Sequence, residues 1–133
     1  WILDGELHAN ESQAKQLAYR DVNTENINAL KAAIVCGAAN NQLADESIHG
    51  PMLVDRGISY APDYLVNAGG LINVYSEWIG YNKEIAFGNT EKIYDTMLAI
   101  YKKAANEGTY TQKAANELAE KRIQDLMLVS STY

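Results

Sequence analysis

Asparagines and glycines gather in two short loops, and their types and spacing could support chemistry. Asn40 and Asn41 are adjacent in the first loop, and Asn67 lies two residues before Gly69-Gly70 in the second. An asparagine offers donors and an acceptor without charge, which suits a carboxamide or an amino-acid carboxylate. Asparagine also forms turns and caps helices routinely. The spacing alone therefore leaves a ligand site and a pair of turns as alternatives.

The other reactive side chains do not form a recognisable constellation. Asp63 and Glu77 could be a catalytic carboxylate pair, or they could be surface charges and caps. His8 and His49 have no partner at metal-ligand spacing, so no metal site is expected. Cys36, the single cysteine, stands in an apolar run and is predicted to be a small buried residue.

The nine glycines exclude the usual phosphate-binding loops. No two of them give Gly-x-Gly, so the chain has neither the dinucleotide fingerprint nor a Walker loop. A nucleotide pyrophosphate therefore cannot be cradled here in the usual way.

Bulk properties narrow the class of protein. The chain has 133 residues and a net charge of -6, which predicts one globular domain or a piece of a larger one and argues against nucleic-acid and anionic-membrane partners. A lone thiol suits the cytoplasm. Because the chain begins with Trp1, we also expect a segment upstream of it.

Two strands must position the loops. The continuous apolar run 33–36 predicts a fully buried strand that ends at Gly37. A helix at 48–56 and a second strand at 58–60 follow, which predicts a parallel pair. Ligands bind outside the carboxyl ends of such strands, and both loops are predicted to lie there.

Three helices are predicted after the second loop. The first spans 70–79, the second begins at a Thr90 cap, and the third begins at a Thr111 cap after Gly108. The residues predicted to face inward are Ile93, Met97, Ile100 and Tyr101 in the second helix and Ala115, Leu118, Ile123 and Leu126 in the third.

Two longer sequence segments bear on the choice between a ligand site and a pair of turns. They are GAANNQL at 37–43 and GISYAPDYLVNAGGLINV at 57–74. In this order and spacing they resemble the C-terminal segment of the glutamate/leucine/phenylalanine/valine dehydrogenase family, and the leucine dehydrogenase branch most closely. The resemblance covers residues 22–123.

The resemblance implies an α/β fold, the C-terminal part of a Rossmann-type parallel-sheet domain followed by C-terminal helices. Residues 22–133 would be the C-terminal part of the NAD-binding domain, and residues 1–21 are an unassigned polar, helical lead-in. The family's N-terminal catalytic domain, with its lysines and aspartate, would be a missing partner. No catalytic residue is therefore expected in this chain, which is predicted to be inactive alone.

The activity implied is oxidative deamination of an L-amino acid to a 2-oxo acid and ammonia, with NAD as the cofactor. The cofactor-binding residues implied are Ala39, Asn40, Asn41 and Asn67, and the substrate-binding residues implied are Asn67, Gly69, Gly70, Leu71 and Val74. The apolar pair Leu71 and Val74 favours a branched or apolar substrate, because a glutamate carboxylate would be desolvated there without a partner.

A second hypothesis belongs to a different class. The chain would be a non-catalytic, stand-alone remnant that acts as a binding or oligomerisation module. Its last two predicted helices would then expose apolar faces and self-associate. A homo-oligomer is expected for the dehydrogenase as well.

Overall fold

The computed structural model describes residues 22–130, and the lead-in predicted for residues 1–21 lies outside this range. A 3-10 turn at Ile27–Ala29 comes first. The elements that follow are β1 (Ile34–Val35), α1 (Glu46–Asp55), β2 (Ser59–Tyr60), α2 (Asp63–Val66), α3 (Gly69–Trp78), α4 (Lys83–Glu107) and α5 (Thr111–Ser130). The fold is α/β, as predicted. None of these helices has the length and apolar character that crossing a membrane requires.

The two strands pair in parallel, as the strand–helix–strand order predicted. Ile34 is level with Ser59, and Val35 is level with Tyr60. The last backbone bond of the ladder runs from the amide of Ala61 to the carbonyl of Val35 at 2.9 Å. The segments that follow the two strands therefore leave the sheet at the same edge.

The prediction that residues 33–36 form a fully buried strand was wrong. Ile34 is 60% exposed and Cys36 is also exposed. A strand is buried on both faces only when layers cover both sides of its sheet. Within residues 22–130 the sheet has two strands and α1 packs beside them, so one side of β1 stays open.

The apolar core has two parts. The strand core lies around β2 and α1 and consists of Val22, Ile27, Leu43, Leu53, Ile58 and Tyr60. The helix core lies between α4 and α5 and consists of Ile100, Ala104, Ala114 and Ala115, with Leu65 and Leu118 packed against it. Small alanines in the second part let the two helices approach closely.

Helix starts differ from the predictions where side chains compete for the backbone. α1 begins at Glu46 because the Asp45 carboxylate accepts from the amides of Ser47 and Ile48. α4 begins at Lys83, not at Thr90, because the Asn82 side chain caps it. The Thr90 hydroxyl instead donates to the carbonyl of Ala86, one turn back within the helix.

The last helix is only half covered. α5 begins at Thr111, as predicted, after Gly108 ends α4 with a φ of 62°. Ala115 is buried and Leu118 is half-buried, but Ile123 and Leu126 are exposed, so their predicted burial was wrong. α5 meets α4 through its first turns and then extends beyond any helix that the structure describes. The inward residues predicted in α4 are all buried or half-buried.

Candidate functional site

Two strand-end segments lie side by side at the carboxyl edge of the sheet. The first strand-end segment, residues 36–42, follows β1, and the second, residues 61–68, follows β2 and includes α2. The parallel pairing of the strands sends both segments out of the same edge. This edge is where open parallel sheets bind ligands.

Asn67 joins the two segments. Its Nδ2 donates to the carbonyl of Ala38 at 3.3 Å and to Oδ1 of Asn40. The two N–H groups of this amide are therefore both used within the protein. Within the described residues, Oδ1 of Asn67 and Nδ2 of Asn40 have no hydrogen-bond partner. The linked pair thus presents one acceptor and one donor, without charge, to a ligand.

The first strand-end segment reverses direction at Asn41. Asn41 is the one residue other than glycine with a positive φ, 54°, in the described part of the chain. Asparagine tolerates this left-handed conformation better than most residues do. The reversal leaves Asn40 and Asn41 exposed, Ala39 half-buried and Gln42 buried.

A buried carboxylate lies behind the linked asparagines. Oδ2 of Asp63 accepts from the amide of Gln42 at 3.0 Å and from the hydroxyl of Tyr60 at 2.9 Å. The hydroxyl of Thr111, at the start of α5, donates to the carbonyl of Tyr60 at 2.7 Å. Asp63 is therefore tied to both strand ends, whereas the Glu77 carboxylate, weighed from the sequence as its catalytic partner, accepts from the side chain of Asn73 on α3.

Two tyrosines near the site stay protonated. Burial raises the pKa of Tyr60, and the adjacent Asp63 carboxylate raises it further. Burial likewise raises the pKa of Tyr64 to about 12, with a smaller contribution from the Glu46 carboxylate. The Tyr60 hydroxyl is therefore a permanent donor to Asp63 at neutral pH.

The two glycines predicted to bind substrate open helix α3. A Cβ on Gly69 would lie 3.6 Å from Cγ2 of Thr90, which is ordinary contact. A Cβ on Gly70 would have no atom within 4 Å. The described residues therefore place no steric demand for glycine at position 70.

Leu71 and Val74 follow on the same helix and face solvent. They are 74% and 62% exposed. An open cavity of about 400 Å³ is lined by Leu71, Ile72, Tyr75 and Asn89. Val74 does not line this cavity, so the apolar pair predicted from the sequence is only partly brought together.

His49 and Cys36 do not form a nucleophile and base. His49 is buried, its Nε2 lies 3.0 Å from the hydroxyl of Thr24, and its Nδ1 accepts from the amide of Asp45 at 2.9 Å. These bonds hold the entry to α1. No group of three metal-ligating side chains occurs within residues 22–130, and His8 lies outside the described residues.

The roles of Asp63, Gln42 and Tyr60 were not predicted from the sequence. Gln42 and Tyr60 lay inside the two longer sequence segments without an assigned function, and Asp63 was weighed as half of a catalytic pair or as a cap. A short side chain after Ala61-Pro62 at a strand end could have indicated an anchoring carboxylate. The partner amide, however, is 21 residues away in the sequence.

Comparisons with known proteins agree on one family. The sequence model described as Glutamate/Leucine/Phenylalanine/Valine dehydrogenase matches residues 18–130. An L-tryptophan dehydrogenase of Nostoc punctiforme is 53% identical over 104 residues, and a leucine dehydrogenase of Thermoactinomyces intermedius is 46% identical over 112 residues. These matches cover 78% and 84% of this chain and 30% of each relative. The chain therefore spans about 30% of the length of these relatives.

Solved structures give the same result. The crystal structure of L-tryptophan dehydrogenase from Nostoc punctiforme superposes with a TM-score of 0.75 at 53% identity, covering 78% of this chain and 31% of that one. The structure of glutamate dehydrogenase from Peptoniphilus asaccharolyticus superposes with a TM-score of 0.67 at 25% identity, covering 84% of this chain and 30% of that one.

Proposed function

This chain belongs to the glutamate/leucine/phenylalanine/valine dehydrogenase family, and on that premise we propose that it is the C-terminal part of an NAD-dependent dehydrogenase of branched-chain or apolar L-amino acids. The reaction is oxidative deamination to a 2-oxo acid and ammonia. Residues 22–133 would complete a Rossmann-type nucleotide domain and carry the C-terminal helices. The whole enzyme would be a cytoplasmic homo-oligomer.

The link between Asn67 and Asn40 carries this proposal. It lies at the carboxyl edge of a parallel strand pair, where family resemblance implies that the cofactor and the substrate meet. The acceptor left on Asn67 suits the ammonium group of an amino acid, and the donor left on Asn40 suits an oxygen of the cofactor or the substrate. An uncharged pair can hold both without attracting a competing ion.

The residues present fit one end of NAD. Ala39, Asn40 and Asn41 form an uncharged turn whose two asparagines are exposed, which suits the nicotinamide ribose. The pyrophosphate needs a glycine-rich loop that this chain lacks. When bound, NAD would supply the acceptor for the substrate's hydride. The role of this chain is to hold the amino-acid head group in orientation at Asn67 and to let it approach along Gly69 and Gly70.

Helix α3 supports an apolar substrate. Leu71 and Val74 are exposed just after the linked asparagines, and Leu71 lines the open cavity with Ile72 and Tyr75. None of these side chains offers a charge to a substrate carboxylate, so a glutamate side chain would lose solvation there without compensation.

The rest of the chemistry would come from the part of the relatives that this chain does not span. A base that takes a proton from the substrate must lie within hydrogen-bond reach of it, and family resemblance assigns that role to a lysine in the N-terminal domain. We therefore expect no turnover of leucine or valine with NAD by the 133-residue chain. Sustained NADH formation by the purified chain would contradict this expectation.

A segment exchange tests the proposed function. Residues 22–130 replace the matching segment of the Nostoc L-tryptophan dehydrogenase, and NADH formation is measured with leucine, valine and glutamate. We expect turnover of the apolar amino acids and little of glutamate. Turnover of glutamate alone, or binding of every substrate without turnover in a well-folded exchange enzyme, would argue against the proposal.

A pair of asparagine variants in the exchange enzyme locates the effect. Asn67→Ala should lower kcat/KM by about 10- to 100-fold, because a hydrogen bond to a charged group contributes about 1.5–3 kcal/mol. Asn73→Ala is the matched control, since the one partner of the Asn73 side chain within residues 22–130 is the exposed Glu77, one turn along α3. Equal losses in both variants would remove Asn67 from the site.

A second candidate, an oligomerisation module, is favoured by one observation. The end of α5 exposes five large apolar side chains, which are Ile123, Leu126, Met127, Leu128 and Val129. Exposed apolar side chains in this number are typical of an interface. Sedimentation velocity of the purified chain at increasing concentration tests it. A monomer throughout would count against the module, and association that Leu126→Glu abolishes would support it.

A further inference from the structure

The strand ladder stops before the site, so something else must hold the two strand-end segments together there. Its last bond joins Ala61 to Val35. Asn40 lies five residues beyond Val35, and Asn67 lies six residues beyond Ala61. Backbone pairing between β1 and β2 ends well before these asparagines, and the carbonyl of Gln42 accepts from the amide of Val22, outside the second strand-end segment. The links between the two strand-end segments themselves are made by side chains.

The Asp63 carboxylate makes the innermost of those side-chain links. Its Oδ2 receives the amide of Gln42, which ends the first strand-end segment, and the hydroxyl of Tyr60, which ends β2. All three residues are buried, and Asp63 is 7% exposed. One oxygen atom thus holds both strand ends at hydrogen-bond distance.

Gln42 passes this restraint to the asparagine turn. A Cβ on Gly37 would overlap the side-chain amide of Gln42, so Gln42 packs directly on the start of the first strand-end segment. The two ends of the segment are thereby in contact, and Asn40 and Asn41 lie at its tip. Moving the backbone amide of Gln42 would therefore move Asn40 and Asn41 relative to Asn67.

Burying an aspartate only to make a structural hydrogen bond costs free energy. Removing a carboxylate from water carries a large penalty unless strong hydrogen bonds replace the lost solvation. Within residues 22–130 the partners of Asp63 are an amide and a phenol, with no cation in salt-bridge contact. Hydrogen bonds to an ionised acceptor are shorter and roughly twice as strong as neutral ones, which suits a group that must fix a distance.

We propose that Asp63 is a positioning residue that sets the separation of Asn40 from Asn67 by holding the amide of Gln42 and the hydroxyl of Tyr60. It touches neither ligand directly and acts through the linked asparagines. The importance of that separation for catalysis rests on the proposed function, whereas the restraint itself is a property of this chain.

The test uses the full 133-residue chain and amide hydrogen exchange followed by NMR. The measured quantity is the exchange rate of the Gln42 amide divided by that of the Ile58 amide, which donates to Leu53 in the strand core. The Ile58 amide reports changes in global stability, so a rise in the Gln42 rate that exceeds the rise in the Ile58 rate reflects local loosening. The side-chain amide resonances of Asn67 are recorded in the same spectra.

We expect Asp63→Asn to raise the ratio about tenfold, because a neutral acceptor weakens the bond by about 1.4 kcal/mol. Asp63→Ala should raise it further and shift the Asn67 side-chain resonances toward those of a free amide. The control is Asp45→Ala, which removes another carboxylate that accepts from two backbone amides but does not contact either strand-end segment. It should neither raise the ratio nor shift the Asn67 resonances, even if the loss of the α1 cap lowers global stability.

An unchanged ratio and unchanged Asn67 resonances in Asp63→Asn would overturn the proposal, even if Asp63→Ala failed to fold. The same changes in Asp45→Ala as in Asp63→Asn would also overturn it, since they would show a general loosening. Because no activity is measured, this outcome is independent of the segment exchange, which tests the proposed function with Asp63 intact.

Discussion

The strand core and the distal half of α5, residues 119–130, contain the same kinds of apolar residue. These residues are buried in the strand core and exposed in the distal half of α5. In the strand core, Leu53 is 1% exposed among residues from four separate parts of the chain. In the distal half of α5, every residue from 119 to 130 is exposed, and Leu126 is 62% exposed. Apolar residues occur in both regions. Within residues 22–130, those of the strand core pack against one another, and those of the distal half of α5 are exposed.

This contrast shows which part of the chain is held together by its own packing and hydrogen bonds. The strand core, the two strand-end segments and the start of α5 are tied together by the Tyr60, Asp63 and Thr111 hydrogen bonds. The distal half of α5 is exposed along its whole length. The first region should therefore respond to mutation as a packed core, and the second as a surface.

The largest effect is expected from a matched pair of leucine truncations. Leu53→Ala should destabilise the chain by about 2–5 kcal/mol, because it removes a fully buried side chain and leaves a cavity. Leu126→Ala should change stability by less than about 0.5 kcal/mol, as surface substitutions do. Urea denaturation measures both. Similar losses would mean that the distal half of α5 is buried in solution, for example by self-association.

A pair of glycine substitutions sharpens the same contrast. Gly50 lies in α1 under the ring of Tyr110, and a Cβ there would overlap the ring. Gly50→Ala should therefore cost about 1–3 kcal/mol from overpacking. Gly70→Ala, in the open first turn of α3, should be neutral or stabilise by up to about 1 kcal/mol. Thermal unfolding followed by circular dichroism distinguishes them, and a stable Gly50→Ala would show that Tyr110 moves freely.

High pH should destabilise the chain in part through Tyr60 of the strand core. The raised pKa of Tyr60 means that the folded chain keeps a proton that the unfolded chain loses above pH 10.0. This contribution to stability is complete below pH 10.0 and is lost as the pH rises beyond it. Tyr60→Phe should therefore flatten the alkaline decline of the urea midpoint. Tyr94→Phe, at an exposed position on α4, should leave the decline as it is.

The smallest effect is expected where α4 and α5 meet at the surface. Nζ of Lys103 lies 2.6 Å from Glu107 and 2.9 Å from Glu117, and these hydrogen bonds raise the pKa of Lys103. Lys103→Met should lower the Tm slightly at low salt and not at high salt, because salt screens exposed ion pairs. Lys102→Met is the control. A salt-independent loss would mean that Lys103 stabilises through packing.

Local patterns predicted a good part of the fold. The parallel strand pair, α3 to within one residue at each end and the stop at Gly108 follow from apolar runs, small-residue loops and glycine's tolerance of positive φ. The start of α4 was missed because Asn82 and Thr90 both have capping side chains. Which of them caps depends on whether the chain between is already helical.

Sequence patterns selected the asparagines of the candidate site but did not predict the hydrogen bonds that connect its residues. Asn40 and Asn67 were both selected as strand-end asparagines, and the structure links them. Asp63 and Gln42 were not connected, because the hydrogen bond between them needs β1 and β2 to be paired in a particular register. A register cannot be read from the residues of one strand alone.

The sequence by itself determined the family, the alternation of strands and helices, and the two strand-end segments with their asparagines. These depend on residue types and short spacings, which act locally along the chain. The tertiary structure decided that Ile34, Cys36, Ile123 and Leu126 are exposed and that Asp63 holds the strand ends together. Burial and long-range hydrogen bonds depend on which surfaces meet, and apolar residues become a core only where a neighbour excludes water from them.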